Sequence, residues 1–195
     1  MTGVVIVAAR RTPIGTAGRG LADVTAAELG AAALRAVVAD AGRVRDEVVL
    51  GNCMGPGGNV ARVAALTAGL PDEVPALSVD RQCASGLAAI ELGVRLVQSG
   101  RELVVAGGVE SASTAPWRMW PPPPEGEAVR YERAPFAPEP RDVDMGYAAD
   151  LLAQERGVPR ARAGRVCRPL PRAGRRGAGA GRLRGRGRPG RWRQS

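Results

Sequence analysis

Histidine and lysine are absent from this chain of 195 residues, and its aromatics are three tryptophans, two tyrosines and one phenylalanine. Each absence excludes something. Without histidine there is no imidazole to act as a base or a metal ligand. Without lysine there is no phosphate loop of the G-x-x-x-x-G-K-[ST] kind, so Gly55-Pro56-Gly57-Gly58 reads as turn chemistry ahead of a helix. The cysteines, Cys53, Cys83 and Cys167, are odd in number, far apart and without a C-x-x-C pair. That argues against a disulfide framework and a structural zinc site, and no metal site is expected. No stretch approaches the roughly 20 apolar residues of a membrane span, and residues 4–9 are a short apolar run without a charged leader. Neither a membrane anchor nor a secretory signal is expected, and the expected location is cytoplasmic.

Acidic residues are missing from one stretch altogether. Residues 160–195 hold 13 Arg, 8 Gly, 5 Ala and 3 Pro and no Asp or Glu, a composition that cannot bury a core. The formal net charge of +9 belongs to that stretch, since residues 1–159 carry 15 Arg against 19 acids. All 28 cations are arginine, and Arg, Gly, Ala and Pro codons can be built wholly from G and C. A shifted reading frame in a GC-rich gene would produce such a segment. The competing reading is an arm that binds nucleic acid by releasing counterions from phosphate. Trp192 is the only aromatic after Tyr147, so stacking on bases is scarcely provided and binding of nucleic acid is expected to be non-specific.

Up to Pro159 the hydrophobic pattern alternates between strand and helix. This predicts an α/β fold with right-handed crossovers and a mostly parallel sheet carrying helices on both faces. Residues 4–9 are the first predicted strand. Thr25 and Glu28 form a capping box for a helix through Leu29, Leu34, Val37 and Val38 that stops at Gly42. Residues 47–52 make the second strand, and Asn59 caps a helix closed by Gly69. Residues 76–80 end an extended, buried run from Val74 and make the third strand. A helix bearing Leu87, Ile90, Val94 and Val97 follows and ends at Gly100; residues 103–106 form the fourth strand, which Gly107-Gly108 break. Residues 109–143 are proline-rich and read as a loop excursion, with Trp117, Met119 and Trp120 packing either locally or against a partner. The expected division is a core at 1–108, a partial loop domain at 109–159 and an Arg/Gly/Pro-rich tail, disordered or frame-shifted, at 160–195.

Cys83 is the best candidate active atom. In Asp80-Arg81-Gln82-Cys83-Ala84-Ser85-Gly86-Leu87 it falls in the first turn or at the cap of a helix, where unpaired N–H groups favour a thiolate and small neighbours leave room for substrate. Spacing alone leaves a buried structural cysteine as the alternative. The surrounding text narrows the choice. Val4-Val5-Ile6-Val7-Ala8-Ala9 with Arg10-Arg11-Thr12-Pro13-Ile14-Gly15 resembles the opening of the thiolase family, and further segments follow in the family's order. These are Leu50-Gly51-Asn52, Asn59-Val60-Ala61-Arg62, Gln82-Cys83-Ala84-Ser85-Gly86-Leu87, Val104 to Ser111, Ala115-Pro116 and Met145-Gly146. The resemblance covers about residues 3 to 160 and implies an incomplete thiolase-like N-terminal layer.

The resemblance implies acyl transfer between coenzyme A thioesters, by Claisen condensation or thiolysis of a 3-ketoacyl-CoA, with no other cofactor. Cys83 would hold the acyl group as a thioester, its backbone amide would be one oxyanion donor, and Met145 would line the substrate's pantetheine path. Acyl-CoA would be the ligand, and the full-length family implies a homo-oligomer. The family's activating histidine and Gly-His-Pro motif have no counterpart here, and Cys167, in Arg165-Val166-Cys167-Arg168, lacks the setting of the second catalytic cysteine. The chain alone is therefore expected to be inactive. Asp80 stands where the family commonly has Asn, a carboxylate that opposes a thiolate at Cys83, and Asp144 stands where many members carry His. The alternatives are a non-catalytic thiolase-like interaction subunit and, below it, a nucleic-acid-binding protein using its basic tail. Filter binding to single-stranded DNA of two unrelated sequences should show equal affinity for both, falling steeply with salt and lost on deleting residues 160–195; a preference for one sequence would instead favour a selected nucleic-acid arm.

Overall fold

The Thr25 signal is realised in full. In the computed structural model, which describes residues 3–42, 46–131 and 135–167, Thr25 Oγ1 accepts the Glu28 N–H while Glu28 Oε2 accepts the Thr25 N–H at 2.8 Å. This box opens helix α1, Ala26–Ala41. Strand β1, Glu47–Gly51, follows, and then helix α2, Val60–Ala68, capped by Asn59 Oδ1 on the Arg62 N–H and closed by Gly69 in the left-handed region. Asn59 does more than cap, because its Nδ2 donates to Ala76 O at 2.7 Å and so ties the helix to the next strand. That strand is β2, Ala76–Val79, and helix α3, Ser85–Gln98, and strand β3, Val104–Gly108, complete the series.

The sheet has the order β2-β1-β3 with both pairings parallel, Val49 standing opposite Leu77 on one side and Ala106 on the other. Side chains alternate across it. Val48 and Leu50 join Leu34, Ala61, Ala64, Ala65 and Val74 in a core beneath α1 and α2. The opposite face meets α3, where a side chain on Gly93 would lie 3.0 Å from Ala106 Cβ. Helices therefore cover both faces, as the pattern predicts. β1 is buried along its whole length because it is central, whereas β2 is only half-buried because it is an edge. Burying Val48 and Val49 contributes about 1.5 to 3 kcal/mol each.

Two expectations need correction. Residues 4–9 are not a strand: they pair with nothing in the sheet, and Val5 and Ile6 are 75% and 84% exposed. A strand is a property of a pair, and this segment takes up neither outer edge of the sheet, at β2 or at β3. An ion pair from Arg10 Nε to Asp40 Oδ2, 2.7 Å, holds this segment to the end of α1. Second, Gly107 and Gly108 do not break β3 but finish it, opposite Leu50 and Gly51. The Leu87-Ile90-Val94-Val97 repeat does mark a helix, but it is not the face of α3 that meets the sheet. Ser85, Ala89 and Gly93 are buried there instead, and Leu87 and Ile90 are 67% and 44% exposed. Small residues take the buried face because the helix lies close to the strands.

The described residues fall into two compact units, one within 3–131 and the other within 135–167. The first unit includes a two-residue antiparallel ladder between β4, Met119–Trp120, and β5, Val129–Arg130. Here Trp120 stacks on Tyr131 at 4.7 Å and the Arg130 guanidinium lies 4.3 Å above Trp117, so the proline-rich excursion packs on its own aromatics. The second unit has helix α4, Met145–Glu155, and helix α5, Arg160–Cys167. The second of these enters the Arg-rich segment, since arginine and alanine are strong helix formers even where they bury nothing. The rest of that segment, 168–195, lies outside the described residues. Among the described residues no helix is long and apolar enough to cross a membrane.

A side chain on Gly51 would meet the Ser85 carbonyl carbon at 2.3 Å, whereas one on Gly107 would come no nearer than 4.0 Å, to Leu50 Cδ2. Gly51→Ala should therefore cost about 3 kcal/mol or more, and Gly107→Ala less than about 1 kcal/mol, in urea unfolding followed by circular dichroism. Equal effects would mean that the helix is free to back away from the sheet.

Candidate active site

Parallel strands deliver their loops to one end of a sheet, and three loops meet at the carboxyl ends of β1, β2 and β3. The loop after β2 is the tightest. Asp80 Oδ1 accepts the Gln82 N–H at 2.8 Å, and Gln82 then takes φ +51°, a left-handed conformation costing roughly 1–2 kcal/mol outside glycine. Buried Ser85 holds the turn. Its Oγ accepts the Arg81 N–H at 2.7 Å and donates to Gln82 O at 2.6 Å, and its own N–H donates to the same carbonyl at 2.9 Å.

Cys83 follows this elbow, one residue before the position expected. Ala84 is the helix cap, so Cys83 stands just outside the first turn, exposed to solvent. No side chain caps α3; the Ala84 and Ser85 N–H groups turn back to Arg81 O and Gln82 O, and the capping is left to backbone alone. Such a placement suits a thiol that must meet a large substrate while backbone amides face the developing negative charge. Asp80, foreseen as a charge opposing the thiolate, also has the local task of binding the Gln82 N–H.

The other two loops are pinned together by Glu110, just past the end of β3. One of its carboxylate oxygens accepts the N–H groups of Cys53 and Met54 at 2.9 and 3.1 Å, and the other accepts Asn52 Nδ2 at 2.9 Å. Asn52 also donates to Val109 O and accepts the Gly55 N–H. Gly57 and Gly58 both have positive φ, +85° and +66°, in keeping with a turn. The Arg118 guanidinium donates to Cys53 O. Ser111 turns away, donating to Val24 O at 2.8 Å.

Cys53 is the residue that sequence reasoning missed. It is half-buried, with Sγ 3.0 Å from Gln82 O and 3.2 Å from Ser85 Oγ. Burial pushes this thiol above its ordinary pKa, and the nearby carboxylates of Asp80 and Glu110 add to the rise, so it stays neutral at physiological pH. The available signal was its position: directly after a buried strand and Asn52, it belongs to the same sheet end as Cys83. Met145 and Asp144 belong to the second unit. Met145 is the exposed first residue of α4, and Asp144 is that helix's cap, accepting the N–H groups of Gly146 and Tyr147 at 2.8 and 3.1 Å. Cys167 is the last residue of α5.

The profile of the thiolase N-terminal domain matches residues 4–167. The chain belongs to the thiolase family. Staphylococcus aureus VraB, named as an acetyl-CoA C-acetyltransferase, is 47% identical to this thiolase chain over 119 residues, 59% of this chain and 31% of that protein. The protein of the same name from Staphylococcus epidermidis is 46% identical over 119 residues, with the same coverage. The crystal structure of the Bacillus anthracis acetyl-CoA acetyltransferase superposes with a TM-score of 0.69 at 35% identity, covering 80% of this chain and 42% of that one. The chain thus spans about a third of the length of the curated relatives. The match extends to Cys167, so the start of the Arg-rich segment falls within the thiolase-like part.

Glu110→Ala would leave the Cys53 and Met54 amides to water. In this exposed setting thermal unfolding should show a loss of about 1 kcal/mol, and Glu110→Gln, which keeps one acceptor oxygen, should lose less. Identical losses in the two variants would assign the effect to charge instead.

Proposed function

We propose that this chain carries the acyl-accepting half of a thiolase-type acyltransferase, acting on coenzyme A thioesters through Cys83. The observation that carries this reading is an exposed thiol set by a left-handed elbow at the start of a helix that no side chain caps, in a chain of the thiolase family. The Cys83 sulfur, as thiolate, attacks the carbonyl carbon of an acyl-CoA; the tetrahedral oxyanion is met by backbone N–H groups, Cys83's own included; the C–S bond to coenzyme A breaks, leaving an acyl-cysteine and a coenzyme A thiolate that takes a proton from water. Acyl transfer to a carbon nucleophile, or its reverse by thiolysis, then needs a base and a group to move the substrate α-proton. No histidine exists in the chain to supply either, so turnover calls on residues outside it. Met145 contributes to the pantetheine path in this reading, no cofactor other than the substrate's own coenzyme A takes part, and the setting is lipid metabolism in the cytoplasm, in a homo-oligomer. A second reading, a non-catalytic thiolase-like subunit, is favoured by the same lack of histidine.

Incubation with acetyl-CoA and mapping of the acetylated peptide decides between them. Acetyl should appear on Cys83 and not in Cys83→Ala, while steady-state formation of acetoacetyl-CoA stays undetectable, since losing groups that act as a unit removes several orders of magnitude of rate. An unmodified Cys83, with coenzyme A left intact, selects the non-catalytic subunit.

A further inference from the structure

We propose that Cys53 and Ser85 act together as a clamp on the Gln82 carbonyl, and that this clamp, rather than the helix alone, positions Cys83. The inference rests on the acyl-accepting role of Cys83 and extends it to residues that never touch substrate. Gln82 is the one non-glycine residue with positive φ among the described residues, and it immediately precedes the reactive thiol. A left-handed residue persists only when its surroundings over-determine it. Here Asp80 Oδ1 holds the Gln82 N–H, and the remaining contacts converge on the Gln82 carbonyl oxygen. Gln82 O receives the Ser85 hydroxyl at 2.6 Å and the Ser85 N–H at 2.9 Å, and Cys53 Sγ lies 3.0 Å from it, approaching from a different strand's loop. The Ser85 hydroxyl also accepts the Arg81 N–H at 2.7 Å, so it spans both sides of the turn. Both partners are placed by their surroundings: the Ser85 backbone lies directly against Gly51, which has no side chain to hold it off, and the Cys53 N–H is bonded to Glu110. Cys53 stays protonated because burial raises its pKa, so its S–H remains a donor to the carbonyl. Cys53 and Ser85 are positioning residues: they set the direction in which Cys83 leaves the elbow.

The test compares the full chain with Cys53→Ala, Cys53→Ser, Ser85→Ala and Cys83→Ala. Two rates are measured on Cys83, each located by peptide mapping: alkylation by iodoacetamide, and acetylation by acetyl-CoA. Alkylation in urea gives the unfolded reference. Wild-type Cys83 should alkylate faster folded than unfolded. Cys53→Ala should slow it about fivefold and Ser85→Ala about tenfold, the scale of one and of several lost neutral hydrogen bonds. Cys53→Ser, which restores a donor, should return to within about threefold of wild type, a rescue that a purely packing role would not give. The clamp is refuted if both alanine variants alkylate at the wild-type rate, or if Cys53→Ser is as slow as Cys53→Ala. Should one alanine variant fail to show a cooperative thermal transition, the other and the serine variant still decide. Failure of wild-type Cys83 to take acetyl, with the alkylation pattern intact, overturns the acyltransferase reading and leaves the clamp standing.

Discussion

Everything at the carboxyl end of this sheet depends on how closely the start of α3 approaches the strands. Gly51, Gly86 and Gly108 come together there, a side chain on Gly108 would lie 3.0 Å from the Gly86 Cα, and backbone passes over backbone with no Cβ between. That approach is what buries Ser85 and brings its hydroxyl onto the loop after β2. With a larger residue at Gly51 or Gly108, the helix would stand off and the elbow would lose its support. The cost of three glycines, each giving up much chain entropy on folding, is offset by the precision with which one loop is held.

Much of the fold is legible in the sequence, because its signals are local. The Thr25/Glu28 box, the Asn59 cap with Gly69, and the short apolar runs around Val49 and Leu77 each specify their element without reference to the rest of the chain. What is not legible depends on partners. Residues 4–9 have a strand's composition, yet strand formation needs a paired neighbour, and the segment lies against neither β2 nor β3 as a strand. Gly107 and Gly108 look like a break because glycine weakens isolated strands, but both pair with β1, and the missing side chain of Gly108 makes room for α3. On α3 itself the larger apolar residues mark the outward face, since the inward face must be small.

The candidate site divides in the same way. Cys83 was found from a strand-to-helix junction, a feature confined to a few consecutive residues. Cys53 was passed over because its meaning lies in a contact 29 positions away, with the carbonyl of Gln82. Glu110 is similar: its type and position past a strand were visible, but its bonds to the Cys53 and Met54 amides cross more than 50 residues of sequence. Asp144, first noticed as a departure from a family pattern, turned out to be a helix cap, a role any Asp ahead of a helix fills well.

Among the described residues the parallel sheet has three strands and two open edges, and an open edge invites pairing with another chain. β2 offers only Ala76–Val79, and Pro75 ahead of it has no N–H to donate while the Asp80 carboxylate behind it brings charge. The opposite edge, β3, ends in two glycines, the residues least suited to building a rigid template. Both edges are thus short and poorly terminated for continued growth. A sheet this narrow, left with unpaired margins, resists extension into aggregates by brevity more than by any covering element.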